Sequence, residues 1–363
     1  RYGRQTMKQA SAVFTWGKND FNSLKKIYPH YLKKIYMTGS PRVDLWKPSF
    51  YSYWKRNITQ SKKPYLLVSS SFGAGFHKES VFKRLNNLEK GGYFKRVPKY
   101  KKMFLLYDSE NNRLLASFIN AIKYLSKNNK KKYKIIVRPH PNEDIKLWRF
   151  SLGNFPNVEV IQDDSVTAWA SNAFAVMHYN CTTAFEALLL GKPVVSYSPF
   201  STKYLNKASR NISLKIQNLE KLLKIINKFF NKNKSKKEKI VKTFPVFLND
   251  RLFIDKKELA SKKIIQIWEK MNDQKLSRAN NLMMIKIRLK IMKINGVLGI
   301  FLKKLLYKNF KIKKNYKFPP FNEKEIIEKV KILQKVLGVK EKISLEFLSD
   351  RTFLIKRVNK TID

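Results

Sequence analysis

A polar loop between two apolar strands holds residues of this chain that are well suited to bind a ligand. Residues 174–197 are predicted to form a strand, a loop, a helix that begins at the hydroxyl residues Thr182 and Thr183, and a second strand. Open parallel sheets bind ligands at the edge where such loops meet, and the free N–H groups of a helix start favour an anion. Glu186, near the first helical turn, carries a carboxylate that can accept hydrogen bonds from sugar hydroxyls. The pattern predicts a site for a phosphate next to a ribose.

The same stretch also permits a purely structural interpretation. Thr182 or Thr183 can cap the helix, with Glu186 near the position of a capping-box partner. Gly191, followed by Pro193, is typical of a helix end. Capped strand-helix-strand units are common, so the choice between the two interpretations depends on the other loops at the same sheet edge.

A second loop follows the first strand of the predicted sheet. It contains Ser70, Ser71 and Gly73. Hydroxyl groups and the small size of glycine let backbone N–H groups approach a phosphate or a sugar closely. A glycine-containing loop is weak evidence alone, but its position at the same edge favours a contribution to ligand binding.

A third loop, Arg138-Pro139-His140-Pro141, follows the next strand. The two prolines restrict the backbone around His140 and hold its imidazole in place. Arg138 can pair with a phosphate, and His140 can donate a proton to it or to a leaving oxygen. The alternative is a rigid connector with a solvent-facing histidine. His178 and Asn180, at the end of a neighbouring strand, are predicted to share this crevice.

Metal and cysteine chemistry are not indicated. The run Asp163-Asp164-Ser165 could suggest a metal site, but a carboxylate or hydroxyl that caps the following helix is the stronger interpretation. With four histidines and one cysteine, the chain shows no convincing metal-ligand cluster. The single cysteine, Cys181, excludes an intramolecular disulfide and fits a reducing compartment. We expect no metal and no cofactor.

The elements that position these loops alternate between strand and helix. The strands are short, apolar and not alternating, which is typical of a parallel sheet buried on both faces. They are predicted at 65–69, 133–137, 158–161, 174–177 and 194–197. Helices are predicted between them, at 111–126, 144–150, 166–171 and 182–190. The fold class is therefore α/β, with a doubly wound, Rossmann-like parallel sheet.

Composition shifts divide the chain into three parts. Residues 1–60 read as the end of a first Rossmann-like domain with a linker, residues 61–245 as the ligand-binding domain, and residues 246–363 as a basic helical extension. The chain opens at Arg1 without an initiator methionine and runs directly into helix-like sequence. We therefore expect it to be a fragment that lacks a preceding segment.

The net charge of +50 predicts attraction to phosphate-rich surfaces. Lysine, asparagine, isoleucine, tyrosine and phenylalanine are all abundant, so part of the charge can reflect A+T-rich codons. No nucleic-acid-binding motif is present, and nucleic acid is an unlikely partner. Residues 283–307 form a basic amphipathic stretch that suits an anionic membrane surface, or a helix packed on the protein's own core. No signal peptide or apolar run long enough to span a membrane is found.

The ordered motifs resemble the bacterial surface carbohydrate (polysaccharide) biosynthesis proteins, which are related to glycosyltransferases of the GT-B type. The resemblance covers roughly residues 10–200. It is carried by Thr38-Gly39-Ser40-Pro41-Arg42-Val43-Asp44, Arg138-Pro139-His140-Pro141, the run from His178 to Leu188, and Gly191-Lys192-Pro193. It implies two Rossmann-like domains that face a cleft, of which residues 61–245 would be the nucleotide-sugar donor domain and residues 1–60 the remnant of the acceptor domain.

The resemblance also implies roles for individual residues. Glu186 is similar to the glutamate that binds the donor ribose, and Thr182 and Thr183 would hold phosphate. His140 resembles the histidine of transferases that use CMP-sugars, so a CMP-linked acidic sugar is the donor that it suggests. No bound metal is implied. The catalytic base would lie mostly in the missing acceptor domain, which leaves His140 and Asp44 as weak catalytic candidates in this chain.

The sequence therefore predicts a glycosyltransferase that builds capsule or lipopolysaccharide chains. It would be cytoplasmic and peripheral on the inner face of the membrane, with a nucleotide-sugar donor and a glycan or lipid-linked acceptor. This fragment could be inactive alone. Two alternatives keep the fold but change the reaction: a nucleotide-sugar 2-epimerase and a glycerophosphotransferase. A third alternative is a non-enzymatic basic protein that binds nucleic acid or a membrane surface.

Overall fold

A computed structural model describes the larger part of the chain. The described residues are 3–54, 63–73, 75–130, 132–163, 165–202, 207–235, 246–255, 257–272, 287, 291, 294, 298, 322–349 and 352–358. The chain divides into two compact units, Arg1–Ala260 and Ser261–Asp363. Both predicted domain boundaries, near residue 60 and at residue 245, lie outside the described residues. Residues 246–255 and 257–260, which the sequence assigned to the basic extension, belong to the first unit.

Within residues 3–54, a two-stranded parallel sheet is surrounded by short helices. Strands β1 (Val13–Thr15) and β2 (Ile35–Met37) pair in parallel, and a small apolar cluster packs beneath them. The helices are α1 (Arg4–Gln9), α2 (Lys18–Ile27), α3 (Pro41–Asp44) and α4 (Tyr51–Trp54), with 3₁₀ turns at Pro29–Lys34 and Pro48–Phe50. Proline at the first position of α3 suits a helix start, since that N–H has no partner within the helix.

Among the described residues that follow, six parallel strands form one sheet. They are β3 (Tyr65–Ser69), β4 (Lys134–Arg138), β5 (Val158–Val160), β6 (Ala175–His178), β7 (Val194–Tyr197) and β8 (Leu214–Ile216), in the spatial order β5-β4-β3-β6-β7-β8. The order runs outward from β3 in both directions, which makes the sheet doubly wound. The predicted α/β class and parallel sheet are confirmed, and β8 adds a strand that the sequence did not reveal.

The helices that follow are α5 (Val81–Lys90), α6 (Tyr93–Arg96), α7 (Lys99–Asn128), α8 (Ile145–Leu152), α9 (Val166–Asn172), α10 (Thr183–Leu189), α11 (Lys207–Asn211), α12 (Leu219–Ser235), α13 (Val246–Arg251) and α14 (Ala260–Asn272). Both faces of the sheet are covered, with α7 and α12 on one face and α9 and α10 on the other. Side-chain oxygens of Ser80, Asp144 and Ser165 accept backbone N–H groups at the starts of α5, α8 and α9. Ser165 thus caps a helix, as the structural interpretation of its motif predicted.

The core has two layers because successive strand residues point to opposite faces. In β3, Leu66 and Val68 belong to the apolar cluster that includes residues of α7 and α12, while Leu67 belongs to the cluster that includes residues of α9 and α10. All five β3 residues are buried. Short, continuously apolar strands are what a sheet covered on both faces requires, which explains why short apolar runs that end at polar loops could locate them.

The connection between β3 and β4 contains a segment without a core of its own. We call residues 81–107, which comprise α5, α6 and the first part of α7, the helical insert. Each of its residues is described, and none is buried. The first buried residue of α7 is Asp108. From there the helix packs against the sheet through residues such as Leu114 and Phe118.

The end of the first unit returns to its beginning. The backbone N–H of Phe253 donates to the carbonyl of Trp16 over 2.6 Å. Gly17 and Gly39 lie so close to this returning segment that an added Cβ would come within 2.5 Å of the Arg251 backbone or 2.6 Å of the Phe253 carbonyl oxygen. Gly39 also has a φ of +83°, which a side chain disfavours.

In the second unit, helix α15 (Glu323–Leu337) precedes a hairpin of β9 (Ile343–Ser349) and β10 (Thr352–Arg357). Asn322 caps the start of α15, and Gly338, with a φ of +66°, follows its end. Most of the predicted amphipathic stretch 283–307 lies outside the described residues. A search of the described residues found no helix with the length and apolar content needed to cross a membrane.

Candidate functional site

Three loops meet where the strand order of the main sheet reverses. Ser69 at the end of β3 lies in register with Arg138 at the end of β4 on one side and with His178 at the end of β6 on the other. We call residues 69–73, 138–143 and 178–183 the strand-end loops. The chain leaves β4 and β6 in opposite directions, and such a switch point is where open parallel sheets bind ligands.

Glu143 joins the first two strand-end loops. Its carboxylate is fully buried and accepts hydrogen bonds from the Ser70 hydroxyl over 2.5 Å, the Phe72 backbone N–H over 2.6 Å and the Trp148 indole N–H over 2.8 Å. Burial raises the pKa of Glu143, and the hydrogen bonds partly offset that rise. Sequence reasoning missed this residue, although a carboxylate three positions after His140 was a visible signal.

His140 is fixed by both its backbone and its ring. Its N–H donates to the Ser70 hydroxyl over 3.1 Å, and its carbonyl accepts from the side chain of Gln162 over 3.0 Å. Ring atom Nδ1 accepts the Asn142 backbone N–H over 3.2 Å. In the neutral ring the proton then resides on Nε2, which can donate to an anionic oxygen. The side chain is half-buried, so a ligand at the sheet edge can reach it.

Arg138 donates a hydrogen bond to the loop that precedes α9. The residue is buried, and Nη1 of its guanidinium donates to the carbonyl oxygen of Asp163. The indole N–H of Trp169 donates to the same carbonyl over 3.0 Å. Arg138 therefore links the end of β4 to the loop before α9, and its predicted contact with a phosphate stays a prediction.

Glu186 holds two distant segments at the start of α10. The residue is only 1% exposed. Its Oε1 accepts from Arg42 Nη2 over 2.9 Å, and its Oε2 accepts from the Thr167 hydroxyl. Burial raises its pKa, while Thr167 and then Arg42 act in the opposite direction. Neither partner was predicted, although Arg42 lies in one of the motifs that carried the family resemblance.

The Arg42 side chain differs from its partner in exposure. It is 59% exposed while the Glu186 side chain is 2% exposed, and the guanidinium lies 5.6 Å from the ring of Trp46. The carboxylate is therefore covered on its open side by a long, solvent-exposed side chain. Movement of that one side chain would uncover it.

Small polar groups pack behind the third strand-end loop. Thr183 is buried, and its hydroxyl lies 3.2 Å from the Ser69 hydroxyl and 3.0 Å from Cys181 Sγ. Burial raises the pKa of the Cys181 thiol, which opposes a role as a thiolate. Thr182, at the cap position of α10, is exposed, and Asn180 is half-buried. Thr182 and Asn180 are the accessible groups of this loop.

His178 is fully buried and engaged on both sides of its ring. Nδ1 accepts the Cys181 backbone N–H over 3.3 Å, and Nε2 lies 2.8 Å from the Ser213 hydroxyl. Burial, followed by the nearby positive charge of Arg210, lowers its pKa to about 3. The neutral ring thus ties the loop after β6 to the segment before β8. Contact with a nucleotide would require this arrangement to open.

Asp44, the second catalytic candidate, is also engaged. Its Oδ1 accepts the Ala260 backbone N–H over 3.1 Å and lies 3.1 Å from Lys47 Nζ. The residue is buried. Asp44 therefore joins α3 to Ala260 at the start of α14, which is a structural role. General-base chemistry at Asp44 would require its ion pair with Lys47 to break.

Ser71 and Gly73 complete the accessible rim. Both are half-buried, and the space beside the Gly73 α-carbon is open. Gly75, by contrast, approaches the side chains of Asn112 and Leu115 so closely that an added Cβ would come within 2.6 Å of each. Among the described residues, no group of three histidine, cysteine, aspartate or glutamate side chains is placed to hold a metal ion.

The predicted site residues therefore form two layers. One layer is accessible at the sheet edge and consists of Ser71, Gly73, His140, Asn180 and Thr182. The other is buried behind it and consists of Ser70, Arg138, His178, Thr183 and Glu186. An anion at the edge would meet hydroxyls and an imidazole, supported by a rigid network of hydrogen bonds.

No protein-family model matches the chain, and no curated protein matches its sequence. Among solved structures, it is similar to the wall teichoic acid polymerase TagF, at a TM-score of 0.46 and 13% identity, over 74% of this chain and 60% of that chain. It is also similar to the UDP-GlcNAc 2-epimerase of Methanocaldococcus jannaschii in complex with UDP-GlcNAc and UDP. The TM-score is 0.45 and the identity 15%, over 72% of this chain and 61% of that chain. For the MnaA–UDP structure from S. aureus the TM-score is 0.42 and the identity 15%, over 74% of this chain and 62% of that chain.

The chain spans less than two thirds of the length of these three structures. Identity this low does not indicate a shared activity, because one fold supports many reactions.

Proposed function

We propose that this chain binds a nucleotide-linked sugar at the strand-end loops and transfers the sugar to a growing bacterial surface polysaccharide. The observation that supports this best is the convergence of three loops at the switch point of a doubly wound sheet. The Thr182 hydroxyl, the Asn180 side chain and the His140 imidazole are accessible there, which suits a phosphate. Capsule or lipopolysaccharide synthesis is the process that the sequence motifs suggest.

Glu186 is the group that we assign to the ribose of the donor. Ribose presents neighbouring hydroxyls, and a carboxylate accepts hydrogen bonds from both. Arg42 now pairs with Glu186, but its exposed side chain is free to turn when the hydroxyls take its place. The displaced guanidinium would then be available to a donor phosphate, and Thr167 would keep the carboxylate oriented.

Transfer would proceed by attack of an acceptor hydroxyl on the anomeric carbon of the sugar, with cleavage of the bond to the phosphate oxygen and release of the hydroxyl proton to solvent. His140 Nε2 would donate a hydrogen bond to the departing phosphate and so share its charge, because Nδ1 already accepts the Asn142 backbone N–H. Of the two catalytic candidates, His140 is favoured, because Asp44 is occupied by Lys47 and Ala260. We assign no catalytic base.

The remaining parts of the proposal follow from charge and motif. A net charge of +50 attracts an anionic donor and an anionic inner membrane surface alike. We propose a peripheral, cytoplasmic location, a glycan or lipid-linked acceptor, and no bound metal. A CMP-linked acidic sugar is the first donor to test.

Calorimetric titration of the full chain with CMP, CDP, UDP and GDP tests the donor site. We expect selective binding of one nucleotide, and we expect Glu186→Gln to weaken it about tenfold or more, because a charged hydrogen-bond acceptor is lost. Glu159→Gln is the matched control. Its carboxylate pairs with Lys134 at the surface and is not part of the strand-end loops.

The other possible outcomes of this titration either contradict the proposal or support one of the alternative functions. A folded chain that binds none of the four nucleotides contradicts the proposal. Unselective binding that falls steeply with salt supports the basic surface binder instead. If a nucleotide binds, product analysis separates the alternatives: an epimerised sugar without an acceptor indicates a 2-epimerase, and transfer from CDP-glycerol indicates a glycerophosphotransferase.

A further inference from the structure

The helical insert presents large apolar side chains to solvent. Phe82 is 72% exposed, Leu106 is 48% exposed and Met103 is 46% exposed. Leu105 and Val97 are similarly exposed. An exposed leucine or phenylalanine alone needs no explanation, but several within one short segment that has no buried residue mark an interaction surface.

The insert is nevertheless internally ordered. The rings of Tyr93 and Tyr100 pack edge to face with centroids 4.7 Å apart, and Phe104 lies 6.3 Å from Tyr100. Arg84 joins α5 to α7 through a 2.7 Å ion pair with Asp108, and both side chains are largely buried. The exposed apolar groups therefore project from a formed helical pair that is fixed to the rest of the first unit.

Positive charge surrounds the exposed apolar groups. Residues 81–107 contain eight lysines and arginines and one acidic residue, Glu89. On α7, Lys99 lies four positions before Met103 and Lys102 four positions before Leu106, which places each pair on the same face of the helix. Long lysine side chains can keep their charge at a polar surface while apolar neighbours go deeper.

We propose that the helical insert docks on an anionic lipid bilayer, with Phe82, Met103 and Leu106 in the interfacial layer and the lysines at the headgroups. Lysines beside apolar side chains bind an interface in this way, because their long stems reach the headgroups while the apolar groups go deeper, and aromatic side chains favour the same depth. A second copy of the chain fits the surface less well, because two inserts with eight basic residues and one acidic residue each would repel one another.

The insert is attached to the candidate donor site. Lys78 Nζ donates to the carbonyl of Pro141 over 2.7 Å, and Gly75 packs against Asn112 and Leu115 of α7. The residues just before and just after the insert are thereby tied to the strand-end loops and to each other. Docking through the insert would bring the carboxyl edge of the sheet to the bilayer, where a lipid-linked acceptor resides. The docking itself does not rest on the proposed sugar transfer.

Vesicle flotation tests this surface without any nucleotide, so its failure would leave donor binding untouched. The probes are vesicles of phosphatidylcholine alone and vesicles of equal parts phosphatidylcholine and phosphatidylglycerol. We expect the full chain to bind the anionic vesicles only. The double variant Lys99→Glu/Lys102→Glu should weaken that binding by roughly 30-fold or more, since each lysine near an anionic surface contributes about 1 kcal/mol.

Matched variants separate the insert from the general positive charge of the chain. Lys221→Glu/Lys224→Glu removes the same charge from exposed positions of α12 and should change binding little. Phe82→Ser should weaken binding roughly tenfold, because a phenylalanine no longer enters the interface. Phe150→Ser is its control, since Phe150 on α8 is even more exposed, at 91%. Circular dichroism of each variant checks that the fold is retained.

Three results would overturn the proposal. The first is equal loss of binding in the insert variants and their controls, which would indicate attraction by overall charge. The second is binding to neutral vesicles at the same strength. The third is a wild-type dimer in solution that Phe82→Ser converts to a monomer while vesicle binding is unchanged, which would make the surface an interface between copies.

Discussion

The strand-end loops and the helical insert are neighbours in sequence but opposite in construction. In the loops, charged and polar groups such as Glu143, His178 and Thr183 are buried, and hydrogen bonds hold them. In the insert, apolar groups such as Phe82 and Leu106 are exposed. Each arrangement inverts the ordinary distribution of residues in a globular domain.

The comparison shows two different ways in which a protein departs from that distribution. Burial of a charge is tolerated when partners satisfy it, and its removal then leaves several partners unsatisfied. Exposure of an apolar group does not depend on partners within the chain, so its removal leaves the fold intact. Substitutions in the two regions should therefore differ in their effect on stability.

The largest effect should come from Glu143→Ala. The substitution leaves two buried donors, on Phe72 and Trp148, without their acceptor, and it leaves the Ser70 hydroxyl only the Arg138 carbonyl, at 3.3 Å. We expect the free energy of unfolding to fall by about 3–5 kcal/mol, as measured by urea denaturation. Glu159→Ala removes a partly exposed ion pair with Lys134 and should cost less than about 1 kcal/mol. Equal losses would mean that Glu143 does not organise the loops.

A smaller effect should appear in the pH dependence of His178. Its pKa of about 3 in the folded chain lies below its ordinary value of 6.5, so the unfolded chain binds the proton more readily. Stability from this group is complete above 6.5 and is lost as the pH falls toward 3. Relative to His178→Asn, the wild type should lose about 2 kcal/mol between about pH 8 and about pH 5. Parallel pH profiles would contradict the buried, neutral ring.

The smallest effect should come from the insert. Phe82→Ser and Leu106→Ser should each change the free energy of unfolding by no more than about 0.5 kcal/mol, because neither side chain is buried. The same urea denaturation gives the value. A loss as large as that of Glu143→Ala would show that these side chains are covered in solution, and the contrast between the two regions would disappear.

The main sheet could be predicted because its strands carry their own signal. The predicted bounds of β3 and β7 agree with the structure, since these runs are continuously apolar and end at polar loops. Helix α7 was predicted only from residue 111, whereas it begins at Lys99. The first turns of α7 lack the apolar stripe of a helix that packs on a core. Hydrophobic periodicity therefore could not predict the insert.

The candidate site could be predicted only in part. Strand ends mark where the loops meet, so local sequence placed Ser70, His140 and Thr183 at this edge of the sheet. The contacts of Glu186 with Arg42 and of His178 with Ser213 were not predicted. The two residues of each pair are remote in sequence, and no local pattern indicates such a contact. For the same reason, the sequence could not separate the accessible layer of the site from the buried one.

The return of the first unit to its own beginning has a consequence for synthesis. Trp16, Gly17 and Gly39 pack against a segment that the ribosome makes more than two hundred residues later. These three residues therefore cannot complete their packing on the ribosome until Arg251 and Phe253 have left the exit tunnel. Until then this part of the nascent chain lacks its packing partner, and its contacts form late because they are remote in sequence.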